Sequence, residues 1–203
     1  MKKYLSMAIL CFTLSPLAWS ADRPLSPRGQ SAILLPGADA ATPWKDGKWL
    51  DVDYGRPLLR GRDHIFGSGA DYGTKVTAGA PVWRAGANQT SRLNTEVALT
   101  VGGKKIAPGS YNIFIDLKEG NWTLIMSTQA AATSYTPKDK KKIWGSYGYD
   151  AKLDLLRAPM KLTESNASIE QFTIDFVDVT SNGGTMRFAW DKTIATVPFT
   201  IAK

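Results

Sequence analysis

The stretch Val82-Trp83-Arg84-Ala85-Gly86-Ala87-Asn88 sets a large aromatic, a guanidinium and a side-chain amide around three small residues. A guanidinium offers a rigid donor fork that matches carboxylate or phosphate. The small residues let a ligand or another backbone come close, and Gly86 can adopt a positive φ. Four more arginines stand beside aromatic or glycine-rich sequence: Arg56, Arg60, Arg62 and Arg157. Tyr54, Trp144, Tyr147 and Tyr149 supply faces that stack on a sugar or another flat group. If these converge they form an aromatic-walled anion site. The alternative is structural: Trp83 in the core, the tyrosines packed inside, and the arginines paired with acids. Asp154 is then the expected partner of Arg84.

Other chemistry is poorly provided for. The chain has one histidine, His64, and one cysteine, Cys11. A zinc site draws three or four ligands, often several histidines. A serine triad would have to use His64, and no Gly-x-Ser-x-Gly elbow is present. Asp51 and Asp53 could face calcium, but without EF-hand spacing they read as the wet face of a strand. The sequence thus implies no metal and no cofactor. A glycosidase needs only two carboxylates, which Asp51, Asp53, Asp150, Asp154 or Glu170 could supply. Three function classes follow. First is a non-enzymatic binding module for an anionic or carbohydrate ligand. Second is a carboxylate-based hydrolase acting on envelope glycan. Third is a structural or assembly protein that adds an edge strand to a partner.

Lys2 and Lys3, the apolar run Leu5 to Leu17, and Ala18-Trp19-Ser20 have the form of a secretory signal. The apolar run is too short to span a bilayer. Cleavage is expected after Ser20, giving a periplasmic or secreted protein that does not insert in the membrane. Cys11 leaves with the signal, so the mature chain has no thiol and core burial must hold it together without a disulfide. Of 25 Lys+Arg and 18 Asp+Glu, Lys2 and Lys3 are lost, and the net charge falls from +7 to +5. The only dense basic run, Lys138 to Lys142, lacks interleaved aromatics, so a solvated loop is expected and no nucleic-acid partner.

The elements that must position the arginines are strands. Residues 21–48 are rich in Pro, Ala and Gly and read as an extended lead-in, with one strand at Ala32 to Leu35. Residues 49–203 read as a single β-sandwich domain, with barrel-like closure the second choice. Leu50, Val52 and Tyr54 alternate with Asp51 and Asp53, and Gly55-Arg56-Pro57 stops that strand. Glycines punctuate Leu58 to Pro81, a long loop leading into the Trp83 stretch. Leu93 to Val101 alternates as one strand with Val97 inward. Gly102-Gly103 and Lys118 to Asn121 then turn a three-strand meander. Leu155 to Leu162 reads as an edge strand because of Pro159. Phe172 to Phe176, Met186 to Trp190 and Val197 to Ile201 complete the set, with turns at Asn182-Gly183-Gly184 and Asp191-Lys192.

These pieces resemble, in order, the DUF2911 family of bacterial exported proteins. They are Ser26-Pro27-Arg28, Tyr54-Gly55-Arg56-Pro57, Gly61-Arg62 with Ile65-Phe66-Gly67, and, most specific, Trp83 to Asn88. Gly109-Ser110-Tyr111, Trp144-Gly145 with Tyr147 and Tyr149, Asp154 with Leu156-Arg157, and Phe172-Thr173-Ile174 follow. The resemblance implies identity and no activity, since the family's function is unknown. The family commonly carries serine where Gly55 stands. It has one residue where Asp63-His64 stand here, which marks His64 as part of a local insertion.

Overall fold

The computed structural model describes residues 24–37, 39, 41–135 and 141–202. The expected signal at residues 1–20 lies outside them, as does most of the Lys138 to Lys142 run. The fold is an all-β sandwich of two antiparallel sheets. Its strands are β1 (Arg28–Leu35), β2 (Lys48–Gly55), β3 (Ser91–Thr95), β4 (Leu99–Val101) and β5 (Lys104–Ile106). They continue with β6 (Gly109–Asp116), β7 (Thr123–Ser127), β8 (Asp154–Pro159), β9 (Lys161–Thr180) and β10 (Gly183–Ile201). One sheet has the order β1-β2-β3-β6-β7-β8 and the other β5-β4-β10-β9. A single turn of helix, α1 (Thr74–Thr77), and two 3-10 turns are the helical elements among the described residues.

Alternation determines the core. Leu50, Val52 and Tyr54 point inward from β2, as do Ile113 and Ile115 from β6 and Leu124 and Met126 from β7. They meet Phe172 and Ile174 of β9 and Phe188, Val197 and Phe199 of β10. The outer face of the larger sheet is covered too. Phe114 and Ile125 pack there beneath Val82 and Ile143, with Tyr149 alongside. The segment after β7 thus folds back over residues that alternation alone assigns to solvent. Pro159 ends β8 at the sheet edge, as its missing N–H requires.

Four expectations need correction. Leu155 to Leu162 is not one edge strand, because β8 ends at Pro159 in the larger sheet and Leu162 belongs to β9 of the smaller. Gly102-Gly103 turns β4 into β5 of the smaller sheet, outside the β3-β6-β7 run of the larger. The Leu93 to Val101 run is not one strand: β3 belongs to the larger sheet and β4 to the smaller. Thr95 makes the break. Its hydroxyl donates to the Val97 carbonyl (2.7 Å) and accepts from the Val97 amide (3.2 Å), a local turn that competes with the ladder. Val97 therefore packs inward against the core, half-buried, from the crossing and not from a strand. Asp191-Lys192 is not a turn either, because β10 runs through it. Asp191 has φ 52° and lies where the β9–β10 register shifts, so a left-handed residue bends the ribbon without reversing it.

Candidate functional site

The Trp83 stretch is built as a strained clasp. The backbone of Trp83 bridges Ile115 of β6 in both directions at 2.8 Å, which fixes the entry. The indole N–H of Trp83 then donates to the Gly86 carbonyl (3.0 Å) and closes the loop on itself. Ala85 and Asn88 both hold positive φ, 47° and 61°, a cost borne only where surroundings over-determine the backbone. Gly55 is part of that determination. A Cβ there would overlap the Ala87 carbonyl, so the end of β2 and the loop are in backbone contact. A serine at this position has no room in this arrangement.

Arg84 projects from the clasp and is only 9% exposed. Its Nη1 donates to the Asn88 carbonyl (2.9 Å), and its guanidinium lies 5.1 Å from the Tyr147 ring centre. Gly145 abuts it from behind, so closely that a Cβ would overlap Nη1. No carboxylate lies within ion-pair distance of Arg84 among the described residues. The expected Arg84–Asp154 pair is thus corrected. Asp154 instead accepts from Arg157 Nη1 (2.9 Å) and from the Tyr149 hydroxyl (2.6 Å).

Arg84 opens on a cavity of about 260 Å³. Arg60, Arg62 and Lys75 line it with Arg84, Trp83 and Trp190 lie against it, and its lining contains no aspartate or glutamate. Arg62 is anchored by the Leu59 carbonyl at Nε (2.8 Å) and the Leu58 carbonyl at Nη2 (2.6 Å), 6.0 Å from the Trp190 ring centre. Arg60 is held by its amide, which donates to Glu170 Oε1 (2.8 Å). Lys75 comes from α1, a turn flanked by Gly73 and Ala78, both at positive φ. None of these three cations has an ion pair among the described residues. Asn88 also lines the cavity, and its amide donates to the Ser26 carbonyl (3.4 Å).

The expected site residues divide accordingly. Arg84, Asn88, Trp83 and Arg62 share the cavity, and Tyr147 backs it from the side, its hydroxyl donating to the Ala78 carbonyl (3.2 Å). Tyr54 is a core residue, 1% exposed, donating to the Ile174 carbonyl (3.2 Å). Arg56 lies over Gly29, and Trp144 packs on Tyr135. Tyr149, Asp154 and Arg157 form a separate network completed by Asp116, which accepts from Arg157 Nη2 (2.6 Å). Burial first, then the Asp154 hydrogen bond, pushes the Tyr149 hydroxyl well above its usual pKa. Lys75 and Trp190 were missed by sequence reasoning. Lys75 reads as one more loop lysine, and Trp190 as an apolar strand position.

The carboxylates considered for hydrolysis serve the scaffold. Asp51 accepts from Asn94 (2.8 Å) and Asp53 pairs with Arg28 (3.9 Å). Asp150 accepts from the Lys152 amide (3.0 Å), and Glu170 holds Arg60. His64 lines a neighbouring cavity of about 720 Å³ and has φ 44°.

A family model described as a protein of unknown function, DUF2911, matches residues 37–199. No curated protein and no solved structure matches the chain significantly. The match takes in every strand but β1, the clasp and the cavity lining apart from Ser26, so the chain belongs to the DUF2911 family of proteins of unknown function.

Proposed function

We propose that this protein is an exported, non-enzymatic binding module whose ligand carries a phosphate or carboxylate group. The observation that carries the reading is Arg84: a guanidinium nine-tenths buried with no acid beside it among the described residues, in a cavity whose lining adds three further cations and no carboxylate. A buried charge is costly unless paired. Here an anionic ligand supplies the pairing, and Arg62 and Arg84 are already oriented by backbone carbonyls to receive it. The engagement of Asp51, Asp53, Asp150, Asp154 and Glu170 by neighbouring groups favours binding over carboxylate hydrolysis. Export is proposed from the N-terminal pattern, and among the described residues no helix is long and apolar enough to cross a membrane.

The test is thermal unfolding of the mature chain with inorganic phosphate, against chloride at equal ionic strength. A ligand that binds only the folded state raises Tm by mass action. Phosphate is expected to raise it. Arg84→Lys is expected to remove that response, because an ammonium lacks the planar fork. Arg84→Ala is expected to cost only about 1–2 kcal/mol without ligand, one hydrogen bond and one ring contact, since no buried acid is stranded. A phosphate response undiminished in both variants refutes the reading.

A further inference from the structure

A second cavity adjoins the anion cavity, with Arg62 lining both. The same two segments wall both cavities in succession. Along the loop after β2, Arg60 and Arg62 line the smaller cavity, and Arg62 through Gly67 line the larger. Along β10, Trp190 lines the smaller, and Asp191 through Thr193 line the larger.

The two cavities differ in chemistry. The smaller presents four cations and no acid. The larger mixes Asp63, Glu164 and Asp191 with Arg62 and Lys192, among the hydroxyls of Thr163, Ser168 and Thr193. Tyr72 and Leu162, both half-buried, supply its apolar wall over the buried Ile65 and Phe66. Ser168 donates to Asp191 Oδ1 (3.1 Å), and Asp191 Oδ2 accepts no hydrogen bond from the described residues. Carboxylates repel a phosphate but accept strongly from hydroxyls, and an apolar surface suits the C–H face of a ring. A bare anion is best served by the smaller cavity, whose four cations face no acid in its lining.

Resting on the anion-binding reading above, we propose that the ligand is an anionic sugar. Its phosphate or carboxylate lies at Arg84 and its hydroxyls face Asp191 and Glu164 in the larger cavity.

Isothermal titration of the mature chain with inorganic phosphate, acetate, glucose, a panel of hexose phosphates and a panel of hexuronates tests this. At least one anionic sugar is expected to bind about tenfold or more tighter than its bare anion, the margin one well-made group of contacts provides. Hexose phosphates and hexuronates separate the two anionic chemistries. Asp191→Asn and Glu164→Gln are expected to erase the margin and to leave phosphate affinity unchanged. Asparagine tolerates the left-handed backbone at position 191, so that variant retains the fold, as its Tm checks. Anionic sugars no tighter than their bare anions, or a margin that survives the double variant, overturn this inference and leave the anion site standing. Absence of binding to the parent chain by phosphate, acetate and every anionic sugar overturns both.

Discussion

Arg84 owes its position to residues that are not charged. Tyr147 stacks on it, the Asn88 carbonyl accepts from it, and Gly145 leaves the space it occupies. Gly145 itself has φ 65° and its carbonyl accepts from Thr90 (2.8 Å), so it is pinned against the guanidinium. Gly145→Ala therefore changes no charge yet is expected to displace Arg84 and weaken phosphate binding about tenfold or more, read by titration. Unchanged affinity would mean the guanidinium needs no backing. Tyr149 makes a different prediction. Its folded pKa is raised above the unfolded value, so its contribution is fully present below about pH 10 and is lost as pH rises toward the folded pKa. Denaturant unfolding from pH 7 upward is expected to show the parent losing stability above about pH 10 more steeply than Tyr149→Phe. Parallel curves would contradict it.

Strands were legible wherever one face is wet. Leu50, Val52 and Tyr54 are buried and Asp51 and Asp53 are not, as period two requires. The reading failed where side chains or bends act locally. Thr95 captures the Val97 backbone and sends the chain to the other sheet, while Asp191 looks like a turn residue and makes a bulge. The corrected faces can be measured. Leu93, fully buried in β3, is expected to lose about 2–5 kcal/mol as Leu93→Ala. Val97→Ala, in the half-buried crossing, is expected to cost under about 1 kcal/mol. Equal losses in denaturant unfolding would restore the single-strand reading. The site was partly legible for the same reason. Trp83 to Asn88 is contiguous, so its residues arrive together, whereas Lys75 and Trp190 reach the cavity from α1 and β10 and only tertiary packing places them beside Arg84.

At the scale of the molecule, charge and covalent chemistry follow from the proposed processing. The proposed mature chain begins at Ala21, has no cysteine and carries +5. N-terminal sequencing of the protein recovered from the periplasm or medium is expected to read Ala-Asp-Arg-Pro; an intact Met1 on membrane-bound protein would contradict export. The sheet order has a bearing on that route. The larger sheet is complete in sequence by Pro159, but the sheet that covers its apolar face needs β9 and β10, and β4 waits for β10 through the Leu99–Ile201 pairing. Pairings of such long sequence separation form late and slowly. A chain emerging from the ribosome therefore cannot close its core until its last strand is free. In the export proposed above, that delay keeps the nascent chain threadable and gives translocation a head start over folding.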